Sequence, residues 1–584
     1  MKRCVLYFLM GFLFFSCARV GSPVGGERDT IPPVFLGANI DTTRINVDRN
    51  IKKLRLDFNE YIQLKDVQKS LIISPPIKKI VKILPTTLAT KFVEITWEDS
   101  LQANTTYNFN FGNSIQDNNE SNILRYFNFA FSTGDKIDNL YISGEVSDGS
   151  KITKVANTMS KNVVGLYKDS DSLNYKEKPY YISNADDDGY FELNYLSPGT
   201  YKILAFEDEN GNSIYDEGKE KVAFQKENIV LEKNISGIPL KLFKAKKKVK
   251  YKELTEMNGG VLMTFEGNPE KIDVLSISEK LTKYKAVHQK FSDSVRVYFN
   301  ADSQNIGIAQ TEKLEFSYNA DGKKDSVSLF YKKNEKNEMT IINNEGNLLP
   351  PLKEFRFTSN QIVDKVQPES WTLNKDSTVA IPFTARISET NPFQVLVKAN
   401  FVEGDKYQLT VASKTVSSYY DSNAKPYRFD FEGDKTENYG VFSVKLSNIP
   451  SNKFWIQLLD TNENVMYSKY TNASDISFNI IKPGEYFVKI LSDENENGFY
   501  DDSDFSILKD AEPVFVFYKK LNIRPLWTIE ETWDLKDERK LDPSATTISK
   551  PTNLPNNEEN ERNKLDRSSN GFNSTNQSTK ELRR

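Results

Sequence analysis

Residues 198–216 read PGTYKILAFEDENGNSIYD, and residues 483–501 read PGEYFVKILSDENENGFYD. Each copy has a Pro-Gly turn, an apolar run of strand length, and a loop rich in Asp and Asn that ends in Tyr-Asp. Pro and Gly favour a tight turn before a strand, and Asp and Asn favour the loop that follows it. Two copies of this length indicate a duplicated β-module, and they predict a chain that is built from repeated all-β units.

The composition agrees with several small β-domains. The chain has 584 residues, too many for one hydrophobic core, and 38% of them are hydrophobic and 27% charged. Alternating strands with one solvated face give such a balance. The net charge is -4 with no basic stripe, which argues against nucleic acid as a partner. One histidine, His288, and two cysteines, Cys4 and Cys17, exclude a disulfide framework and a Cys/His zinc cluster.

The N-terminus carries a segment typical of export. Lys2 and Arg3 precede an apolar core, Val5 to Phe15, that is too short to span a bilayer but long enough for a signal peptide. Ser16-Cys17 follows directly and resembles a bacterial lipobox. The resemblance implies cleavage before Cys17 and lipid attachment to this residue. An ordinary signal peptide with a chance cysteine is the alternative.

These features predict a lipoprotein signal peptide at residues 1–17 and a flexible Gly/Pro tether at residues 18–32. Cys17 is not followed by the aspartate that retains some lipoproteins in the inner membrane, or by an acidic cluster that resembles a surface-export signal. We therefore expect anchoring in the outer membrane, with the periplasmic face favoured over the cell surface.

Period-two alternation of apolar and polar residues follows the tether. It is seen in Leu54–Phe58, Val93–Trp97, Tyr107–Phe111 and Phe127–Phe131, and it predicts a β-sandwich at residues 33–136, which we call domain 1. The phrases that carry a family resemblance here are DFNEYI from residue 57, ISPP from 73, LQANTTY from 101 and FAFSTG from 129. As a set they resemble the bacterial Ig-like domain of the SbsA type. Together with the tether, domain 1 is similar to a group of uncharacterised Gram-negative envelope lipoproteins, and this resemblance implies no reaction.

The rest of the chain is read as four further β-domains and a tail. Domain 2, residues 137–245, resembles the prealbumin-like or Cna-B-like β-sandwich through its strand order and its Pro-Gly-x-Tyr turn. Lys244 to Lys252 forms a lysine-rich linker that we interpret as a solvated segment. The remaining divisions are a middle β-domain (domain 3, residues 250–348), a degenerate Ig-like domain (domain 4, 349–435), a second prealbumin-like β-sandwich (domain 5, 436–530) and a disordered tail (534–584).

The two oxygen-rich loops suggest calcium, which binds six to eight oxygen ligands. Counting Asp493 as position one of an EF-hand-type loop places a glycine, Gly498, at position six. The ligands would be Asp493, Asn495, Asn497, the Phe499 carbonyl, Asp501 and Asp504. The loop resembles the calcium loops of dockerin or thrombospondin repeats more than a full EF-hand, because no helices flank it.

The first loop matches this pattern less closely. Its candidate ligands are Asp208, Asn210, Asn212, the Ile214 carbonyl and Asp216. Ser213 replaces the glycine and Lys219 occupies position twelve, although Glu220 could substitute by a shift of one residue. The alternative for both loops is that Asp and Asn side chains simply bond backbone amides in long hairpin turns.

The sequence contains no clear catalytic arrangement. We interpret His288 as a solvated histidine, Asp186 to Asp188 as a hairpin tip, and Asp117 to Glu120 as a surface turn. We therefore predict a non-enzymatic lipoprotein that acts as a β-sandwich scaffold or binding protein, stiffened by Ca²⁺, with the membrane and an envelope protein or glycan as partners. A carbohydrate-binding or carbohydrate-degrading accessory lipoprotein is the alternative, and a hydrolase with two carboxylates in the middle domain is a third hypothesis.

Overall fold

A computed structural model describes residues 28–152, 161–170, 174–333, 338–344, 346–537, 539, 541–546 and 550–551. Cys17 and the predicted signal peptide lie outside these residues. The described chain is almost entirely β-structure, as the sequence predicts. The described residues divide into two compact units, of which the first lies within residues 28–146, 161–215 and 224–240, and the second lies within residues 147–152, 216–223 and 241–551.

Domain 1 is a sandwich of two antiparallel sheets. One sheet has the order β4-β5-β2-β7-β8, with β1 beside β2, and the other has the order β3-β6-β9. The alternating apolar residues are buried as predicted, since the core contains Leu56, Val93, Phe109 and Phe131. The elements are β1 Phe35–Ala38, β2 Lys53–Leu64, α1 Val67–Ser70, β3 Ile72–Ser74, β4 Ile80–Leu84, β5 Thr90–Trp97, β6 Thr106–Gly112, β7 Ile115–Asp117, β8 Ile123–Leu124 and β9 Phe127–Ser132.

Domain 2 also consists of two sheets. One has the order β13-β10-β17, and in the other β11 lies between β12 and β14, with β16 on the far side of β14. The strands are β10 Leu140–Asp148, β11 Lys161–Lys168, β12 Tyr181–Asn184, β13 Tyr190–Leu196, β14 Gly199–Asp208, β15 Val222–Phe224, β16 Ile229–Leu231 and β17 Ile235–Leu242.

Domains 3 and 4 follow in the second unit. Domain 3 has sheets of order β18-β19-β22-β21 and β20-β23-β24, and domain 4 has β25-β27-β32-β31, β26-β35-β33-β29-β30 and the pair β28-β34. The strands of domain 4 thus begin at Ile341, before the boundary at residue 349 that the sequence predicts, because β25 pairs with β27. The elements are β18 Lys250–Met257, β19 Gly260–Glu266, β20 Ile272–Ser276, β21 Lys285–His288, β22 Ser294–Tyr298, α2 Ala301–Gln304, β23 Glu312–Ala320, β24 Lys323–Tyr331, β25 Ile341–Asn343, β26 Leu348–Leu349, β27 Phe355–Ser359, β28 Lys365–Val366, β29 Thr372–Lys375, β30 Val379–Ala380, β31 Phe383–Ile387, β32 Gln394–Ala399, β33 Lys406–Val411, β34 Val416–Ser417 and β35 Tyr427–Gly433.

Domain 5 has one sheet of order β39-β36-β43-β45 and another of order β38-β37-β40-β42-β44, with β41 beside β40. The last two strands lie in the segment that the sequence predicts to be disordered. These two strands pair through backbone hydrogen bonds with the edges of the two sheets, and this pairing does not depend on apolar side chains. The strands are β36 Gly440–Ser447, β37 Lys453–Leu459, β38 Val465–Thr471, β39 Asp475–Ile481, β40 Gly484–Asp493, β41 Val514–Val516, β42 Lys519–Ile523, β43 Trp527–Asp534, β44 Asp542–Thr546 and β45 Lys550–Pro551.

The Pro-Gly-x-Tyr turns form the same corner in domains 2 and 5. The Tyr201 hydroxyl donates to the carbonyl of Ser197 at 2.8 Å, and the Tyr486 hydroxyl donates to the carbonyl of Lys482 at 2.9 Å. In each copy the tyrosine is buried and bonds the residue just before the proline. At Gly199 an added Cβ would lie only 3.3 Å from the Tyr201 hydroxyl oxygen, so a larger residue would crowd the ring.

A second repeated corner relates domains 1 and 4. Tyr107 pairs with Phe131 across β6 and β9, and Tyr407 pairs with Phe431 across β33 and β35. Each tyrosine hydroxyl accepts the N–H of the residue five positions earlier, at 2.8 Å in domain 1 and 2.6 Å in domain 4. Domains 1 and 4 therefore share the same local structure at this corner.

Consecutive domains are joined by specific polar contacts. Within the first unit, the Ile182 N–H of domain 2 donates to Ser74 Oγ of domain 1 at 3.1 Å. Within the second unit, the Ile362 N–H of domain 4 donates to the Tyr298 hydroxyl of domain 3 at 3.1 Å. Both contacts are buried, and breaking either one would leave buried polar groups unpaired at a cost of about 1–3 kcal/mol.

Candidate functional site

Both oxygen-rich loops begin at the end of a strand whose neighbour carries a lysine. Asp208, the last residue of β14, lies opposite Lys161 of β11, and Asp493, the last residue of β40, lies opposite Lys453 of β37. The strands place the two aspartates at equivalent positions in domains 2 and 5. The second loop lies wholly within the second unit, whereas the first loop is divided between the two units.

Asp493 is the centre of the second loop. It is 0% exposed, and its carboxylate accepts the N–H groups of Asn497 at 3.0 Å and Gly498 at 2.9 Å. The Tyr470 hydroxyl donates to the same carboxylate at 2.6 Å. Burial and the hydrogen bond to Asp493 raise the pKa of Tyr470 to about 12.

The asparagines of this loop fold the chain around Asp493. The Asn495 side-chain oxygen accepts the Asn497 N–H at 3.0 Å, and the Asn497 side-chain oxygen accepts the Phe499 N–H at 2.7 Å. The Asn495 amide group donates to the Asp501 carboxylate at 2.7 Å. Gly498 has φ +76°, which a residue with a Cβ rarely adopts. The structure thus brings together four of the predicted ligand positions.

Asp504 lies elsewhere. Its side chain accepts the N–H of Ser506 at 3.2 Å and the Ser506 hydroxyl at 2.5 Å, and it caps a short 3-10 helix, Phe505–Ile507. A carboxylate that caps a neighbouring turn is not directed to the centre of the loop. The structure therefore does not group Asp504 with Asp493, although the spacing of an EF-hand-type loop predicts it at position twelve.

Glu512 reaches the loop from further along the chain, and the sequence reading missed it. It is 2% exposed, and its carboxylate accepts the Glu494 N–H at 2.7 Å and the Asp501 N–H at 2.9 Å. Burial raises the pKa of Glu512, the two backbone donors oppose this, and the charges of Asp501 and Asp493 raise it further. Two neighbouring carboxylates that affect its pKa show that negative charge converges here.

In the first loop, Asp208 plays the part that Asp493 plays in the second loop. Asp208 is 5% exposed and accepts the N–H groups of Gly211 at 2.8 Å, Asn212 at 3.2 Å and Ser213 at 2.9 Å. The Asn210 side chain accepts the Asn212 N–H at 3.0 Å, and that of Asn212 accepts the Ile214 N–H at 2.6 Å.

Glu220, the residue that the sequence offers as a substitute at position twelve, is in the second unit. It is 1% exposed and accepts the Asp216 N–H at 2.9 Å. This bond matches the one between Glu512 and Asp501, because Asp216 and Asp501 end the two repeated stretches. The sequence does hold a signal for both glutamates, since each opens a Glu-x-Val triplet whose valine begins a short strand: Glu220-Lys221-Val222 and Glu512-Pro513-Val514.

The oxygen atoms around Asp493 are suitable ligands for a hard cation. Carboxylate, amide and carbonyl oxygens are the ligands that calcium takes, and no nitrogen or sulfur ligand is in this set. In the part of the chain that the structure describes, no group of three or more His, Cys, Asp and Glu side chains is placed to hold a metal ion. A cation at this loop would therefore need the asparagine and backbone oxygens as well as Asp493 and Glu512.

The other candidate residues make hydrogen bonds that support the local fold. His288 is partly buried, its Nδ1 accepts the Ile272 N–H at 3.3 Å, and its Nε2 lies 3.0 Å from the Ser292 carbonyl. Asp186 accepts the N–H groups of Asp188 and Tyr190, as a hairpin tip does. A cleft of about 520 Å³ in the second unit has a single carboxylate in its lining, from Asp434.

The fold defines a protein of tandem β-sandwich domains. Residues 29–133 match the family model of the bacterial Ig-like domain, which confirms the class predicted for domain 1. No curated protein matches the chain.

Several solved structures are similar to the chain at low sequence identity. The S-layer protein rSbsC(31-844) is 9% identical over 82% of this chain and 68% of its own, with a TM-score of 0.13. BcpA, the major pilin subunit of Bacillus cereus, is 7% identical over 68% of this chain and 99% of its own, with a TM-score of 0.13. The BSP domain of a biofilm associated protein is 9% identical over 82% and 96%, with a TM-score of 0.14. At such TM-scores, nothing about the function of this chain follows from these likenesses.

None of the described helices is long and apolar enough to cross a membrane.

Proposed function

We propose that this chain is a non-enzymatic lipoprotein of the bacterial envelope, in which a row of β-sandwich domains forms a scaffold or spacer stiffened by calcium. The observation that carries the proposal is the loop of domain 5, where Asp493 and Glu512 are buried and hold the backbone of one oxygen-rich turn. The buried junction bonds at Ser74 and Tyr298 support a scaffold, because they limit bending between neighbouring domains.

The exposed aromatic residues favour the scaffold over the carbohydrate-binding alternative. Sugar platforms need several aromatic rings in a line on one sheet. The aromatic side chains with large exposure are spread over four domains: Tyr61 and Tyr126 in domain 1, Tyr190 in domain 2, Phe330 in domain 3 and Tyr470 in domain 5. Tyr470 also donates its hydroxyl to Asp493 and packs against Trp455 in a tilted arrangement, with ring centroids 4.6 Å apart.

The anchor is proposed at Cys17, in the outer membrane and facing the periplasm, with an envelope protein or glycan as the partner. Replacement of Cys17 by Ala is expected to move the protein from the membrane fraction to the soluble periplasmic fraction, because one lipidated cysteine supplies the apolar chains. Fractionation and labelling with a fatty acid measure this. Replacement of Cys4 by Ala is the matched control and should change neither. A Cys17 variant that stays in the membrane fraction would contradict the anchor.

Calcium is expected to raise the melting temperature of domain 5. Extracytoplasmic modules bind calcium with Kd of roughly 0.1–1 mM, so 10 mM calcium would stabilise the domain by about 1.4–2.7 kcal/mol. For a domain of this size the shift is about 5 °C or more. Calorimetry of the full chain measures it, and 10 mM magnesium is the control, because its octahedral demand suits this turn less well. An unchanged melting profile with no heat of binding would refute calcium.

A further inference from the structure

The loop of domain 5 also contacts the segment that leads from domain 2 to domain 3. Ser503 is 2% exposed, and its hydroxyl donates to the Lys244 carbonyl at 2.9 Å. The Ser503 N–H reaches the same oxygen at 3.2 Å, and the Lys246 N–H donates to the Ser503 carbonyl at 2.7 Å. Ala245 and Ser503 thus form a parallel β-bridge. The start of the lysine-rich linker is held by its backbone, whereas its composition predicts a solvated segment.

A second contact comes from the same part of the loop. The Phe499 ring stacks on Phe291 of domain 3, with ring centroids 4.8 Å apart and planes 29° apart. We call residues 499–504 the linker clasp, because they touch both the linker and domain 3. The pair between Lys246 and the Asp504 carboxylate, at 3.9 Å, is exposed on the lysine side and adds little. The clasp therefore depends on the Ser503 backbone pairing and the Phe499 ring.

Hydrogen bonds connect the clasp and the residue before it to Glu512 and Asp493. Glu512 accepts the Asp501 N–H within the clasp, and the Tyr500 hydroxyl donates to the Glu512 carbonyl at 2.9 Å. On the other side, Asp493 holds the Gly498 N–H next to Phe499. The position of the clasp is thus set by Asp493 and Glu512, two buried carboxylates whose like charges repel each other.

We propose that the linker clasp is a lock on the chain's own linker and that calcium at the loop of domain 5 closes it. The calcium half of this inference rests on the proposed function. Without calcium, repulsion between the carboxylates loosens the loop, Ser503 and Phe499 withdraw, and the linker is released. The side chains of the six lysines between residues 244 and 252 are exposed even in the closed clasp, so release frees the backbone around them. The clasp thereby couples a divalent cation to the accessibility of an interdomain segment.

Limited trypsin digestion of the full chain tests the lock, with linker cleavage followed by mass spectrometry. In calcium we expect Ser503→Asp and Phe499→Ala to be cut in the linker about tenfold faster than the unchanged protein, because each opens the clasp locally. Ser503→Asp sets a carboxylate against the Lys244 carbonyl, and Phe499→Ala removes the ring stacking. Ser506→Ala is the matched control, because its hydroxyl bonds Asp504 within the same turn and not the linker. Unchanged melting of the other domains verifies folding of each variant.

Two outcomes would overturn the lock in separate ways. Cleavage of both variants at the rate of Ser506→Ala would refute the clasp itself. If a chelator leaves linker cleavage of the unchanged protein slow although calcium raises its melting temperature, the cation does not control the clasp. Fast cleavage of the variants with no calcium effect on melting would support the clasp and refute the proposed calcium function. Acceleration of the unchanged protein by the chelator to the rate of the variants supports both halves.

Discussion

Replacement of Glu512 by Gln is expected to weaken calcium binding by a factor of about 10 or more, equivalent to about 1.4 kcal/mol. Glu512 is buried at the loop, and its pKa is raised by burial and by the nearby charges of Asp501 and Asp493. A cation that neutralises this charge is favoured, because the buried carboxylate is poorly solvated. Gln keeps the shape of the side chain and one oxygen to accept a backbone N–H, so domain 5 should still fold. Calorimetric titration of the full chain measures the affinity.

Asp504→Asn is the control that distinguishes a calcium site that includes Glu512 from one that follows the EF-hand-type spacing. Asp504 occupies position twelve of the loop, but its carboxylate caps the turn at Ser506. We therefore expect Asp504→Asn to bind calcium almost as the unchanged protein does. A large loss of affinity in Asp504→Asn with none in Glu512→Gln would contradict a site built on Glu512 and favour the EF-hand-type spacing.

The repeated corners could be predicted because their causes are local. Tyr201 and Tyr486 follow Pro-Gly turns directly and bond carbonyls four residues earlier. Period-two alternation likewise places Leu56 and Val93 in the core of domain 1, because strands send alternate side chains to opposite faces. Features that a few neighbouring residues determine are visible in the sequence.

Glu512 could not be placed in this way. It lies 19 residues after Asp493, and the excursion that separates them carries a 3-10 helix, Phe505–Ile507, with no counterpart in the first copy. Spacing taken from an EF-hand loop stops at Asp504. The pairing of Ala245 with Ser503 is another long-range contact between backbones. A lysine-rich composition describes side chains and does not reveal which backbone groups another domain will bond.

Replacement of Asp117 by Ala is expected to destabilise domain 1 by about 2–4 kcal/mol, because it leaves four backbone N–H groups of the turn without their common acceptor. Asp117 is 1% exposed. One carboxylate oxygen accepts the N–H groups of Asn119, Glu120 and Ser121 at 2.7–2.9 Å, and the other accepts that of Asn122 at 3.0 Å. The turn that the sequence places on the surface is therefore organised around a buried anion. Hydrogen exchange of peptides from domain 1, in the full chain, measures the loss.

The charge of Asp117 adds a pH dependence that separates it from a purely steric role. Burial opposes ionisation, but the four backbone donors outweigh it and lower the pKa of Asp117. A lowered pKa stabilises the fold above the unfolded value of about 3.9, and this contribution is lost as the pH falls through the folded value. Asp117→Asn should thus be less stable than the unchanged protein at pH 7, and the difference should shrink below about pH 4. Asp41→Ala, which removes an exposed carboxylate bonded only to Thr43, should leave exchange in domain 1 nearly unchanged. An equal loss in Asp41→Ala and Asp117→Ala would refute the special role of the buried anion.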